Sequence, residues 1–301
     1  MTYYTIPLLY YAITGIHAGA GRGGKEVDLL IQRDAKGYPI IYKTSIKGAF
    51  RSYYRPKLKE DERSLFGERI ELGQAQLHYE PGLISFSDAI LLGLPVKLEK
   101  PIFIYVTTPY LLKRIKNLLS PTRGTFSRKI SKFINNILIA CKDMNKNSVV
   151  LSSLLLKQYP RNMVIYDKEL NVIGSFEEDL ELPYSSYPIS EFCKRLTIVE
   201  DETFLGYFLD NIIIKSTKVR LDYRKKHVVY GGLWSEEFLP SGSILLGLLF
   251  IRKFVFKDNK IEEVKTPENM LKELFPQDYI LLFLGGREST SKGLIKVVLC
   301  Q

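Results

Sequence analysis

The sequence predicts an α+β fold. Three observations carry that prediction. Period-2 and β-branched runs recur along the whole chain, a few segments with helical spacing interrupt them, and the two kinds do not alternate one for one as a doubly wound parallel sheet requires. There is no simple repeat and no low-complexity linker. The 301 residues allow one large or two ordinary domains. With 46% hydrophobic and 25% charged residues, the composition is that of a folded soluble protein that buries its core without staples.

Taken in order, YYTIPLLYYAIT (3–14) reads as the first strand. It has no Lys or Arg before Arg22, unlike the start of a signal peptide. A loop follows with Gly15, Gly19, Gly21, Gly23 and Gly24. Next come a strand around 27–32, a turn over Asp34-Ala35-Lys36-Gly37, and the extended PIIY opened by Pro39. SIKGAFRSYYRPKL (45–58) has helical spacing, with Ile46, Phe50 and Tyr54 on one face and Lys47, Arg51 and Arg55 on a second. Ser45 is its expected N-cap, and Pro56 with the charged run after it is expected to end it. Residues 64–82 read as a glycine-punctuated loop, and 83–96 and 101–107 as strands. PYLLKRIKNLLS (109–120) opens a helix with Pro near its start. The basic stretch 121–160 is helix-like around FSRKISKFINNILIACK, and 163–176 alternates like a hairpin.

NIIIKSTKVRLDYRKKHVVYGGLW (211–234) gives the strongest hairpin signal, two β-branched runs around the basic turn DYRKKH. ILLGLLFIRKFVF is a strand pair or one long strand. Arg252 interrupts it before it could span a bilayer, so no membrane segment is expected. PENMLKELF (267–275) is a short helix, YILLFLGG (279–286) a buried strand entering a glycine loop, and GLIKVVL (293–299) the last strand.

The formal net charge of +10 favours a polyanionic partner, although many basic proteins bind no nucleic acid. The three cysteines, Cys141, Cys193 and Cys300, are far apart and not in CxxC spacing. That argues against a disulfide framework or zinc site and fits a reducing cytoplasm. No two of His17, His78 and His227 have metal-ligand spacing.

Several clusters can carry chemistry. GGRESTSKG (285–293) lacks the order of an NTPase phosphate loop. Gly285 and Gly286, with Arg287 and Lys292 beside them, suit a nucleic-acid backbone, or form an ordinary hairpin loop. The stripe Lys47, Arg51, Arg55 is a phosphate contact or a solvated helix face. Lys218, Arg220, Arg224, Lys225 and Lys226 make a basic hairpin suited to touching a nucleic-acid strand, or an exposed loop. His17 and Asp28 form a pair able to cleave RNA: Asp accepts a 2′-OH proton while an acid or cation assists the leaving 5′-oxygen. A lone histidine such as His17 is more often structural than catalytic. Glu236 and Glu237 offer carboxylates for acid, base or magnesium duty, or surface charge.

Together these pieces are more specific than any one. IHAGAGRGGKEVDLLIQRDAKGYPIIYKTSIKGAFR resembles the N-terminal signature of the RAMP superfamily, and within it the backbone subunit of type III-B CRISPR effectors, the Cmr complexes. LFG (65–67), ISFSDAILLGLPV (84–96), VRLD (219–222), GGLWSEEFLP (231–240) and LGGRESTSKGL (284–294) resemble it in the same order. The likeness runs over nearly the whole chain and is weakest over 121–160. Leu30 stands where that family has proline, and Lys43-Thr44-Ser45 where it has Pro-Gly-Ser.

The resemblance implies a single RAMP domain over 1–301. Its ferredoxin-like, RRM-like palm would occupy roughly 1–110 and 230–301, with a helical insertion at roughly 110–160 and a projecting β-hairpin thumb at roughly 211–232. It implies copies stacked in a filament on a CRISPR guide RNA, beside other effector subunits, each cutting complementary single-stranded target RNA. Asp28 is then the cleavage residue, and charge on the phosphorane is offset by a divalent metal on Asp28, with Mg²⁺ as first choice, or by a nearby Lys or Arg. Glu237 is favoured slightly over Glu236 as support, with His17 also in the catalytic set. Ser45, Lys47, Arg51, Arg55, the hairpin cations and the 285–292 loop become the RNA-binding set. Competing readings are a non-cleaving guide-RNA scaffold, the type III-A counterpart, a guide-processing endonuclease and an unrelated RNA-binding module.

Overall fold

A computed structural model describes residues 3–23, 27–58, 61–67, 81–97, 103–140, 149–152, 162–166, 172–177, 188–257, 260–263 and 267–301. The chain starts with β1 (Tyr3–Ala12), β2 (Gly19–Arg22), β3 (Leu29–Ile31) and β4 (Ile40–Ile41), then α1 (Lys43–Leu58) and α2 (Asp61–Phe66). β5 (Ile84–Phe86), β6 (Ala89–Lys97) and β7 (Phe103–Thr107) lead to α3 (Pro109–Leu119) and α4 (Thr125–Ala140). β8 (Val149–Ser152), β9 (Asn162–Tyr166) and β10 (Val172–Glu177) precede α5 (Ile189–Lys194) and β11 (Leu196–Ile198). α6 (Asp201–Thr203), a π-helical turn over Phe204–Phe208, and α7 (Leu209–Ile212) follow. β12 (Ile214–Leu221), β13 (Val228–Phe238), β14 (Ile244–Arg252), β15 (Phe254–Lys257) and β16 (Lys260–Glu263) come next, then α8 (Pro267–Leu274), β17 (Tyr279–Phe283) and β18 (Leu294–Leu299). The α+β class is as expected.

The main sheet runs β10-β9-β8-β11-β7-β6-β14-β1-β18-β17, with β4 on β6 and β5 on β14. β1 lies between β14 and β18, antiparallel to both. Its residues Ile6 to Tyr10 are all buried because both faces are covered. Leu8 and Tyr10 join a cluster with Ile46, Phe50 and Tyr54 of α1. Leu9, pointing the other way, joins one with Leu112 and Ile115 of α3 and Ile130 and Ile134 of α4. A smaller sheet has the order β12-β13-β3-β2.

Several expectations are corrected. Pro56 lies inside α1, which runs on to Leu58. Ser45 is not its N-cap, because the helix begins at Lys43, whose N–H donates to Asp88 Oδ1 at 2.8 Å. Residues 64–66 close α2 rather than a loop; 68–80 lie outside the described residues. The 83–96 run is two strands, broken at Ser87-Asp88 where the Ser87 hydroxyl accepts from Leu248 N–H. β8 falls inside the stretch read as helix-like. β14 and β15 resolve the ILLGLLFIRKFVF alternative as separate strands. Among the described residues no helix is long and apolar enough to cross a membrane.

Candidate active site

Asp28 is placed by β13. That strand meets β3 in parallel register at Glu236 and Leu29, which sets Ser235 against Asp28. The contact is reciprocal. The Asp28 N–H donates to Ser235 Oγ at 3.0 Å, while the Ser235 N–H and hydroxyl donate to Asp28 Oδ2 at 2.8 and 3.0 Å. Val27 and Ile31 are buried and Asp28 is exposed, so the apolar run carries its acid on the solvent side. The Ser235 N–H, then its hydroxyl, hold the Asp28 carboxyl below the usual carboxylate value, and Arg22 adds a weaker pull. Asp28 is therefore ionised at neutral pH.

Asp28 borders a cavity of about 500 Å³, lined also by Arg22, Arg220, Trp234 and Arg287. Three guanidiniums around one carboxylate give the cavity a net positive lining, the chemistry that suits a phosphate anion. Glu236, one residue past Ser235, lies behind it with no exposed surface. Its Oε1 accepts from Trp234 Nε1–H and pairs with Arg287.

Glu237 points elsewhere. Arg33 Nη2 meets both its oxygens at 2.9 Å, and Ile31 N–H donates to Oε2 at 3.2 Å. Its backbone carbonyl accepts from His17 Nδ1 at 2.7 Å. A carbonyl has no hydrogen to give, so Nδ1 carries it. His17 is buried and tilts over Phe238. Its carbonyl accepts from Gly286 N–H at 3.0 Å, which brings the 285–286 loop onto the first glycine loop. Gly285 has φ +87°, and a Cβ there would lie 2.3 Å from the His17 carbonyl oxygen, so only glycine fits. Lys292 Nζ sits 5.3 Å over the Phe238 ring.

The rest of the expected RNA-binding set is spread out. Ser45 Oγ accepts from Gln32 Nε2, which also donates to Gly19 O, tying α1 to the glycine loop. Lys47 is half-buried; burial, then Arg51 and Arg252, push its ammonium below the usual lysine range. Arg51 donates to Gly67 O, and Arg55 is exposed. Arg224, Lys225 and Lys226 form the exposed β12–β13 turn, where Asp222 Oδ1 accepts from the N–H groups of Arg224 and Lys225. Lys218 lies on β12, half-buried, and Arg220 carries the hairpin's charge to the Asp28 cavity. The structure thus joins Asp28, Arg220 and Arg287, links His17, Glu237 and Gly285, and leaves the α1 stripe apart. Ser235, Arg22, Arg33 and Gln32 were not singled out from the sequence. Ser235 and Arg33 sit inside quoted motifs, but their partners are about 200 residues away along the chain.

Among the described residues no three His, Cys, Asp or Glu side chains gather into a metal cage. Asp28 is the one carboxylate among the described residues lining the cavity. Asp28 is thus the donor in the cavity that a hard cation such as magnesium would take.

Known proteins share this architecture. The chain is 28% identical to the CRISPR system Cmr endoribonuclease Cmr4 of Pyrococcus furiosus, over 96% of this chain and 93% of that one. It is also 28% identical to the CRISPR system CMR subunit Cmr4 of Saccharolobus solfataricus, over 99% and 97%. A chain of the type III-B Cmr-beta complex in its apo state, solved by cryo-EM, superposes with a TM-score of 0.69 at 25% identity, covering 99% of this chain and 98% of that one. The model of the RAMP superfamily matches residues 10–296, so the chain belongs to the RAMP superfamily.

Proposed function

We propose that this chain is the guide-RNA-binding backbone subunit of a type III-B CRISPR ribonucleoprotein, and that it cleaves complementary target RNA. The observation that carries the reading is Asp28, exposed and held ionised in a cavity lined by three arginines. The Pyrococcus furiosus relative, named a Cmr endoribonuclease, supports it.

The reaction is attack of a target ribose 2′-OH on the adjacent phosphate. The 2′-oxygen–phosphorus bond forms as the bond to the 5′-oxygen breaks, leaving a 2′,3′-cyclic phosphate and a 5′-OH. Asp28 Oδ1, which carries none of the Ser235 hydrogen bonds, takes or orients the 2′-OH proton. Because Ser235 makes Asp28 a weaker base than a free carboxylate, positioning supplies more of the rate than basicity. Asp28 would hold a magnesium ion, which would supply positive charge against the phosphate. The Arg22 and Arg220 guanidiniums of the cavity act on the same charge. His17, buried outside the cavity with its Nδ1 hydrogen on the Glu237 carbonyl, positions the glycine loops, and water supplies the leaving oxygen's proton. Glu237, engaged by Arg33, acts through the position of β3.

The main sheet around β1 serves as the ferredoxin-like palm, and the β12–β13 hairpin as a thumb that touches the target strand. Lys47, Arg51, Arg55 and the 285–292 loop face the guide backbone, since a subunit that accepts any spacer must read phosphate and sugar. Copies of the chain stack along one guide with other effector subunits, in the cytoplasm. The test is to express the chain with a CRISPR array and the partner subunits. We expect an RNA of defined length to copurify, and the complex to cut complementary RNA to 2′,3′-cyclic phosphate ends. Absence of both copurifying RNA and cleavage would overturn the reading.

A further inference from the structure

Glu236 has no exposed surface, and a carboxylate taken out of water must be paired and hydrogen-bonded. Its Oε1 has two partners, Trp234 Nε1–H and Arg287 Nη2, whereas its Oε2 has no hydrogen-bond partner. Arg287 reaches it from a left-handed backbone conformation, φ +74°, which disfavours a residue with a Cβ. The chain adopts it where Gly286 leads into the 3₁₀ turn Glu288–Thr290, whose Thr290 N–H and hydroxyl both donate to the Arg287 carbonyl. What that turn achieves is the aim of the side chain. The guanidinium centre lies 5.7 Å from the Trp234 ring, and the side chain keeps 39% of its surface exposed. It borders the same cavity as Asp28. An arginine has five N–H donors, so a guanidinium anchored on a buried carboxylate still offers several to an incoming anion.

We propose that Arg287 is a catalytic residue of RNA cleavage: its guanidinium grips a nonbridging oxygen of the scissile phosphate, held in place by Glu236 and Trp234. This rests on the Asp28 cavity being the cleavage site, and it moves Arg287 from the guide backbone to the target phosphate. In the step, the 2′-oxygen bonds to phosphorus and the bond to the 5′-oxygen breaks. The 2′-OH proton passes to Asp28 and on to solvent, and the leaving 5′-oxygen takes a proton from water. Arg287 transfers no proton; it stabilises the negative charge that builds on the phosphorane, the usual use of a fixed donor at a developing oxyanion. Glu236 is a positioning residue, because it acts only through the guanidinium it holds.

The test uses the complete ribonucleoprotein and single-turnover cleavage of a target with one phosphorothioate, Rp or Sp, at the scissile position. Arg287→Ala alone would strand the buried Glu236 charge, so the variants are Arg287→Lys, which keeps a cation there, and the neutral pair Arg287→Ala/Glu236→Gln. We expect the pair to lower the rate by about 10²- to 10³-fold, the usual effect of losing one oxyanion donor. Arg287→Lys should lose less, because it keeps the charge and loses the planar fork. Target affinity should stay within about threefold, and the stereospecific sulfur effect of the wild type should vanish in the pair. A rate within about twofold of wild type overturns the proposal. So does a loss confined to guide loading, or a sulfur effect unchanged in both variants. Asp28→Asn is measured in parallel. If it cleaves at the wild-type rate, the reading of the cavity itself fails; if it is inactive while the Arg287 variants cut normally, only the role of Arg287 fails.

Discussion

Ser235 gives the Asp28 carboxylate two donors, its backbone N–H and its hydroxyl, and both favour the ionised form. The folded-state pKa is lowered, so the ionised form is present above it and lost as pH falls through it. The acid limb of a pH–rate profile set by Asp28 should therefore lie below the ordinary value of 3.8. Ser235→Ala removes the hydroxyl and leaves the N–H, so it should move that limb upward and slow cleavage modestly, because Asp28 loses one of the two groups that position it. An unmoved limb would show that the clasp does not tune Asp28. Arg33 makes a different test. It is the salt-bridge partner of Glu237, whose side chain is 5% exposed. Arg33→Ala leaves that charge buried alone and should cost about 3 kcal/mol in urea unfolding. Glu237→Gln should cost less, since its amide oxygen still accepts from Ile31 N–H.

At the scale of elements, α1 presents Lys47 beside Arg51 and Arg252, and burial and like charge together depress the Lys47 ammonium. Such a group gains from an anion. Lys47→Ala should flatten the slope of log K against log[salt] for guide binding by about 0.7, one single-strand phosphate contact. An unchanged slope would take α1 out of the guide interface. Gly285→Ala should destabilise the loop by more than about 1 kcal/mol, because it combines a left-handed backbone with a clash on His17. These elements were legible in the sequence to different degrees. α1, α3, α8 and the β12–β13 hairpin follow from period and turn chemistry, and Ile46, Phe50 and Tyr54 are buried as their spacing requires. The stretch 188–212 gave no assignment, because its helices are three to six residues long around a π-helical turn and carry no sustained 3.6-residue period. Ser235 and Arg33 stayed hidden for another reason: only the pairing of β3 with β13 brings them to Asp28 and Glu237, and no local pattern encodes it.

At the scale of the whole molecule, the sheet that buries β1 on both faces is separate from the small sheet that presents Asp28. The hairpin of that small sheet ends in side chains with little packing: Tyr223 is 96% exposed. Removing the tip over 222–227 should therefore leave the fold and its unfolding midpoint nearly unchanged, while disturbing where the target is cut. A large drop in midpoint would show that the tip supports the core.

The central claim is that Asp28 cuts RNA rather than supporting the loop around it. Asp28→Asn keeps the shape, and its side-chain oxygen can still accept from Ser235, while the charge is removed. The measurement is single-turnover cleavage of complementary RNA by the assembled complex carrying this variant, with guide and target affinities determined on the same sample. The account predicts that cleavage is abolished while both affinities stay within about twofold of wild type, as expected when an interaction made only in the transition state is removed. Cleavage at the wild-type rate would contradict it and leave the chain a guide-RNA scaffold.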